Sequence, residues 1–88
     1  MSKQSTQLFH YQIRLSKEDS AFFYFQLEAS DGICFYSTMK HPHHAQYRDI
    51  DLKGDVLLKS EMDHLLQECG KRFKIEILLD ETITDKKG

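Results

Sequence analysis

The chain has one concentration of metal-ligating side chains, the segment 41–44, where histidine stands at three of four positions: His41, His43 and His44. Imidazole binds zinc and titrates near neutral pH, so the segment could hold a metal ion or respond to protons. A structural zinc site needs about four ligands at defined spacings, and the sequence supplies no C-x-x-C or H-x-x-x-H partner. The spacing therefore favours a solvated loop, with a metal- or pH-responsive binder as the alternative.

The possible nucleophiles lack the partners that nucleophilic catalysis requires. Cys34 and Cys69 stand outside any catalytic signature, and we expect both to be reduced, buried thiols. Ser37 and Thr38 have neither an elbow motif nor an orienting acid at a diagnostic position. A surface hydrogen bond explains His64. Since no acid, base and nucleophile set is present, we expect a protein that is not an enzyme and uses no cofactor.

Length and charge limit the other function classes. A chain of 88 residues, 40% of them hydrophobic, is long enough for one small domain, and its thin core favours dimerisation. Twelve basic and fourteen acidic residues give a net charge of -2, which disfavours binding to nucleic acid. The polar first residues lack a secretory signal and no window is apolar enough to span a membrane. We expect a cytoplasmic protein without membrane partners.

Hydrophobic periodicity predicts most of the elements. Residues 8–16 alternate between apolar and polar side chains, which is typical of a half-buried strand. Residues 55–70 place apolar side chains on one side of a helix, with Asp55 as N-cap and Gly70 as a left-handed C-terminal residue. The predicted strands are 8–16, 33–40, 47–53 and 73–80. The predicted domain is 8–80, between a disordered segment 1–7 and a flexible tail 81–88.

Residues 17–30 fit two different structures. As a helix, the segment has Ser16 as N-cap, Glu18 and Asp19 in the first turn, and a stop at Gly32. As a strand, its side chains alternate and a three-residue loop ending at Gly32 would form a hairpin. The periodicity alone does not separate the two.

The run of residues 27–33, LEASDGI, is followed by Ser37 and Thr38. It resembles the signature of a family of small uncharacterised bacterial domains, in which LEA-x-[DE]-G-[LI] precedes [RS]-T. The similarity covers most of residues 8–80. This resemblance implies a ferredoxin-like fold similar to ACT domains, with residues 17–30 helical. It also implies a small-molecule site at Asp31 and Gly32, between the first helix and the second strand.

We therefore predict an α+β, ferredoxin-like βαββαβ fold, with two helices on one face of a four-stranded antiparallel sheet. The alternative is a mostly antiparallel β-meander with a single helix, in which residues 17–30 form a strand. The helical structure predicts an inner stripe of Phe22, Phe25 and Ala29. It leaves Phe23 and Leu27 facing outward as an interface.

The predicted function is that of a non-enzymatic cytoplasmic binding or regulatory module. We expect it to act as a homodimer or with a protein partner, through an exposed edge of the sheet or through Phe23 and Leu27, with a small molecule as a further candidate ligand. The alternative function is the metal- or pH-responsive binder that uses His41, His43 and His44.

Overall fold

The computed structural model describes residues 6–30, 32–40 and 45–85. Within these ranges the chain forms four strands, two α-helices and one short 3-10 turn. The strands are β1 (Thr6–Ser16), β2 (Phe35–Thr38), β3 (Tyr47–Asp55) and β4 (Glu76–Asp85). The helices are α1 (Lys17–Ala29) and α2 (Lys59–Gly70), and the 3-10 turn, Val56–Leu58, leads into α2. Both α-helices pack on one face of an antiparallel sheet with the order β2-β3-β1-β4. This confirms the predicted fold class.

Strand β1 lies at the centre of the sheet, paired with β3 on one side and β4 on the other. Its alternation is the one that the sequence predicts, because every second side chain from Phe9 to Leu15 is buried beneath the helices. The intervening side chains, His10, Gln12 and Arg14, point to the opposite face. The sheet therefore has one face in the core and one face that the helices leave uncovered.

Helix α1 begins directly where β1 ends. Ser16 has an extended backbone, and its hydroxyl accepts a hydrogen bond from the Asp19 N–H at 3.2 Å, as expected of an N-cap. Glu18 and Asp19 occupy the first turn, where negative charge is favourable. The segment 17–29 is therefore helical, and the β-meander alternative is wrong.

The face that α1 turns to the core differs from the prediction. Phe23 and Leu27 are buried, whereas Phe25 is 67% exposed and Ala29 is exposed. Apolar side chains surround this helix, so its own periodicity does not select one face. Because no loop residue separates β1 from α1, the junction at Ser16 sets the rotation of the helix over the sheet. The predicted interface of Phe23 and Leu27 is wrong, since both side chains belong to the core.

Helix α2 confirms its predicted stripe: Met62, Leu65, Leu66 and Cys69 are buried. Asp55 caps the preceding 3-10 turn by accepting a hydrogen bond from the Leu57 N–H at 2.9 Å. The expected left-handed residue at Gly70 is absent. Gly70 is the last residue of the helix, and the only residue with a positive φ in the described part of the chain is Gly32, at 80°. The helix instead ends where the N–H groups of residues 72 and 73 donate to the Cys69 carbonyl.

Strand β4 begins later and ends later than predicted. It starts at Glu76 and pairs with β1 as far as Asp85, so residues 81–85, expected in a flexible tail, belong to the sheet. A register shift opposite Gln12 and Ile13 leaves Leu78 as an extra residue in β4. Pairing with the long central strand stabilises this polar end without apolar alternation.

Candidate functional site

The uncovered face of the sheet, which we call the open face, holds the densest polar network among the described residues. Residues that pair directly across neighbouring strands lie on the same face of the sheet and form a row. In the strand order β2-β3-β1-β4, one row on the open face contains Phe35, Lys53, His10 and Glu81. The next row contains Ser37, Asp51, Gln12 and Leu79. The open face therefore joins side chains from all four strands, up to 71 positions apart in sequence.

His10 lies at the centre of this network, between two carboxylates. Its Nε2 is 2.7 Å from Asp51 Oδ1 on β3, and its Nδ1 is 2.9 Å from Glu81 Oε2 on β4. We call these three residues the His10 clamp. Only 11% of the His10 side chain is exposed, although no described element covers this face. Ionised carboxylates only accept hydrogen bonds, so both contacts are satisfied only when both ring nitrogens donate, which is the case for an imidazolium.

The electrostatics of the clamp follow from this geometry. Burial by itself lowers the pKa of His10, but the hydrogen bonds to Asp51 and Glu81 and the charge of Asp51 together raise the pKa above its ordinary value. Burial raises the pKa of Asp51, and the hydrogen bonds from His10 and Gln12, with the His10 charge, produce a net lowering. The clamp thus favours the charged forms of both partners.

A second ion pair lies beside the clamp. The Arg14 guanidinium donates two hydrogen bonds to Asp49, from Nε at 2.8 Å and from Nη2 at 3.0 Å. The Cζ atom of Arg14 lies 4.1 Å from the centre of the Tyr47 ring. The Asp49 side chain is 6% exposed. A bidentate pair of this type fixes the relative orientation of the two side chains.

Large apolar side chains border the polar centre of the open face. Phe35 on the edge strand β2 is 86% exposed, and no described residue packs over it. Leu8 pairs directly with Ile83 at one end of the face, and Leu79 lies opposite Gln12. A neutralised centre with apolar neighbours is typical of a protein contact surface.

A groove of about 580 Å³ lies on the other side of the molecule, between α1 and α2. Its floor contains Ile33, Leu65 and Cys69, and Glu61 and His64 stand on the α2 rim. It adjoins a smaller hollow of about 320 Å³ that Arg72 lines, where the guanidinium lies 4.4 Å from the centre of the Phe22 ring. The groove has the size of a small-molecule site.

Of the residues that the sequence predicts to bind a ligand or a metal ion, the structure describes only Gly32. Gly32 forms a turn with positive φ, which explains the glycine by itself. Asp31 and the three loop histidines, His41, His43 and His44, lie outside the described residues. Within the described ranges, no group of three or more His, Cys, Asp or Glu side chains has the geometry of a metal site.

The two cysteines are free thiols, with Cys69 buried and Cys34 half-buried. Burial raises the pKa of Cys34 to about 11 and also raises the pKa of Cys69. Both thiols are therefore protonated, unreactive groups at neutral pH.

A buried tyrosine is the other perturbed group in the core. The Tyr11 hydroxyl donates to Asp63 and accepts from Lys59 Nζ at 2.8 Å. The hydrogen bond with Tyr11 is the main cause that raises the pKa of Lys59, and burial and Asp63 raise the pKa of Tyr11. Each group is thus held in its protonated form, which suits a structural link between β1 and α2.

Sequence reasoning missed the His10 clamp. The alternation of β1 places His10 on the polar face, but Asp51 and Glu81 are 41 and 71 residues away. Finding them requires the strand order and the register, and neither is present in a local pattern.

No protein-family model and no curated protein sequence matches the chain. Neither described helix has the length and apolar character of a transmembrane span. The family that residues 27–33 suggest is thus not identified by sequence comparison.

Solved structures share the fold. The apo form of CPII, a nitrogen regulatory PII-like protein from Thiomonas intermedia K12, has a TM-score of 0.74 at 12% identity, over 97% of this chain and 98% of that chain. CPII bound to ADP, AMP and bicarbonate has a TM-score of 0.72 at 14% identity, over 97% and 99%. The SecDF periplasmic domain P4 has a TM-score of 0.64 at 22% identity, over 94% of this chain and 94% of that chain. These likenesses show that the chain has the ferredoxin-like, ACT-like fold.

Proposed function

We propose that this protein is a cytoplasmic, non-enzymatic regulatory module that self-associates through the open face of its sheet. The observation that carries the proposal is the pairing of opposite charges on that face. Three cationic side chains, His10, Arg14 and Lys53, stand among four carboxylates, Asp49, Asp51, Glu76 and Glu81, and most of them are hydrogen bonded to one another. Because the central charges are paired in place, this part of the face can be buried without isolating a charge.

The partner that suits this face best is a second copy of the chain. A strongly charged partner has no matching surface here, because three positive and four negative groups nearly balance. Two identical faces of this kind meet without net repulsion, as a two-fold interface requires. The four strands have 34 residues in all, and at about 3.3 Å per residue and about 4.8 Å between strands they give an area of roughly 540 Å² per copy. A standard stable interface buries about 800 Å² per partner, so we expect a reversible dimer.

The thiols and the tyrosine network support a non-enzymatic module in a reducing compartment. Cys34 and Cys69 are both unpaired, and each has a raised pKa. Lys59 and Tyr11 are stabilised in their protonated forms, so neither is a ready base or nucleophile at neutral pH.

The groove between α1 and α2 offers a place for a regulating small molecule, on the side of the molecule opposite the proposed interface. Its support is its size and its mixture of apolar floor and polar rim. CPII, which shares the fold, is known in a form bound to ADP, AMP and bicarbonate. These three compounds are the first probes to test. A ligand bound to the native protein at 100 times its Kd raises the free energy of unfolding by about 2.7 kcal/mol, which thermal unfolding detects.

Self-association is tested by sedimentation equilibrium and light scattering with matched variants. Phe35→Glu places a charge on the open face, whereas the control Phe25→Glu makes the same change on the exposed side of α1. Both side chains are well exposed, so we expect both variants to keep the wild-type circular dichroism. We expect the wild type and the control to dimerise with the same Kd, and Phe35→Glu to weaken the dimer about tenfold or more, or about 1.4 kcal/mol.

Two outcomes contradict the proposal in different ways. A wild type that stays monomeric at high micromolar concentration overturns self-association. A dimer that Phe35→Glu leaves intact overturns the assignment to the open face and moves the contact elsewhere, for example to the free edge of β4.

A further inference from the structure

We infer that His10 makes this self-association proton-linked: the second copy binds while the imidazole is charged, and it dissociates as the imidazole loses its proton. The inference rests on the proposed open-face interface and adds the way in which that interface is regulated. Its basis is the geometry of the His10 clamp, in which one imidazole is shared by two carboxylates from different strands.

Charged groups face His10 from both neighbouring strands. On β3 they are Asp51, at 2.7 Å, and Lys53, its direct cross-strand partner. On β4 the facing group is Glu81, at 2.9 Å. The helices pack on the other face of the sheet and contribute no charge here. With His10 protonated, two positive and two negative groups balance.

Loss of the proton changes this balance in two ways. The cluster is left with one net negative charge, because Lys53 alone stands against Asp51 and Glu81. One ring nitrogen also becomes an acceptor that faces a carboxylate oxygen, so a hydrogen bond is replaced by a repulsive contact. In the free protein, water can move in and relieve part of this penalty. In a dimer the same cluster lies inside the interface, where an uncompensated charge is costly.

A two-fold interface contains the clamp twice, so the effect on the free energy of association is doubled. If association raises the pKa of each His10 by one further unit, the Kd rises about tenfold per copy, and about 100-fold in total, when both are deprotonated. The same reasoning applies to folding. Because the native pKa of His10 lies above its unfolded value of 6.5, its contribution to stability is complete below that value and is lost as pH rises through the native pKa.

The chain supplies a matched control histidine. His64 is exposed on α2 and forms no hydrogen bond or ion pair with any residue in the described ranges. It lies on the rim of the groove between α1 and α2, away from the open face, so it is a control for self-association measured without an added ligand. Substitution of His64 removes one imidazole without touching the clamp.

The test measures the Kd of the dimer by sedimentation from about pH 6 to about pH 8.5, in the wild type and in three variants. We expect the wild type and His64→Gln to lose affinity as the pH rises, by about 100-fold once both imidazoles are deprotonated. His10→Gln, which carries no charge, is expected to be weak throughout and to lack this pH dependence. His10→Lys retains a positive charge, so we expect its dimer to persist at high pH.

A direct measurement keeps the inference testable if a clamp variant does not fold. NMR titration of the His10 ring in dilute, monomeric wild type is expected to give a pKa above 6.5, and a still higher pKa at concentrations where the dimer forms. A dimer whose Kd is the same across the pH range overturns the proton linkage but leaves the proposed function intact. The absence of a dimer at every pH overturns the proposed function itself. An equal pH dependence in His10→Gln and in the wild type assigns the effect to another group and refutes the inference.

Discussion

Gly54 lies opposite Phe9 in the ladder between β1 and β3, and its missing side chain leaves room for the phenylalanine ring. A Cβ atom at residue 54 would stand 2.5 Å from Phe9 Cζ and 2.7 Å from the backbone oxygen of Ile33. Ordinary carbon contacts are about 3.5–4.0 Å, so Gly54→Ala forces a displacement of about 1 Å. The ring is fully buried and the oxygen belongs to the backbone, so neither moves freely.

The expected cost of Gly54→Ala is therefore that of overpacking a core, about 1–3 kcal/mol. The lower backbone entropy of alanine in the unfolded chain offsets about 0.4–1 kcal/mol of this. The expected net loss is about 1–2 kcal/mol. For a domain of this size, each kcal/mol lowers the Tm by about 4–8 °C. Urea denaturation followed by circular dichroism should show a lower midpoint with an unchanged m value.

Two comparisons make the reasoning about Gly54 refutable. Gly70→Ala is the control, because an added Cβ there meets nothing within 4 Å, so we expect it to be neutral or stabilising. In a Phe9→Leu background the ring is absent, and Gly54→Ala should cost less than in the wild type. A Gly54→Ala protein as stable as the wild type, or an equal cost in both backgrounds, would show that the ring does not limit the space at residue 54.

Two further predictions use the same denaturation assay. Phe23→Ala should lower the free energy of unfolding by about 3–5 kcal/mol, because the ring is fully buried, while Phe25→Ala should change it by no more than about 0.5 kcal/mol. Equal losses would refute the rotation of α1 described above. Zinc in excess should leave the unfolding transition of the wild type unchanged, because the segment 41–44 lacks the spacing of a metal site. A rise of about 2.7 kcal/mol in the free energy of unfolding that EDTA reverses would instead establish the metal-binding alternative.

The elements that local chemistry specifies could be predicted from the sequence. Ser16 and Asp55 have short polar side chains at the starts of helical segments. Ser16 caps α1 as expected, and Asp55 caps the 3-10 turn before α2 rather than α2 itself. The alternation in β1 predicted the four buried side chains from Phe9 to Leu15. The apolar spacing in α2 predicted its core face, because only one side of that helix is apolar.

The predictions that failed concern features for which the chain offers two nearly equal local solutions. Helix α1 carries aromatic side chains on several sides, so Phe23 and Phe25 are equally plausible core residues until the junction with β1 sets the rotation. The end of β4 is polar, so only pairing with β1 keeps residues 81–85 in the sheet. Gly70 can continue a helix as well as end one, and here it continues it.

The amino-acid sequence alone determined the kind of protein: one small α+β domain with caps, strands and helices that follow from side-chain size, polarity and spacing over a few residues. The tertiary structure alone decided which surface has functional potential. His10, Asp51 and Glu81 meet because β3 and β4 flank β1 in a particular register. Register is set by the packing of the whole sheet, and contacts between residues 41 and 71 positions apart leave no trace in a local pattern.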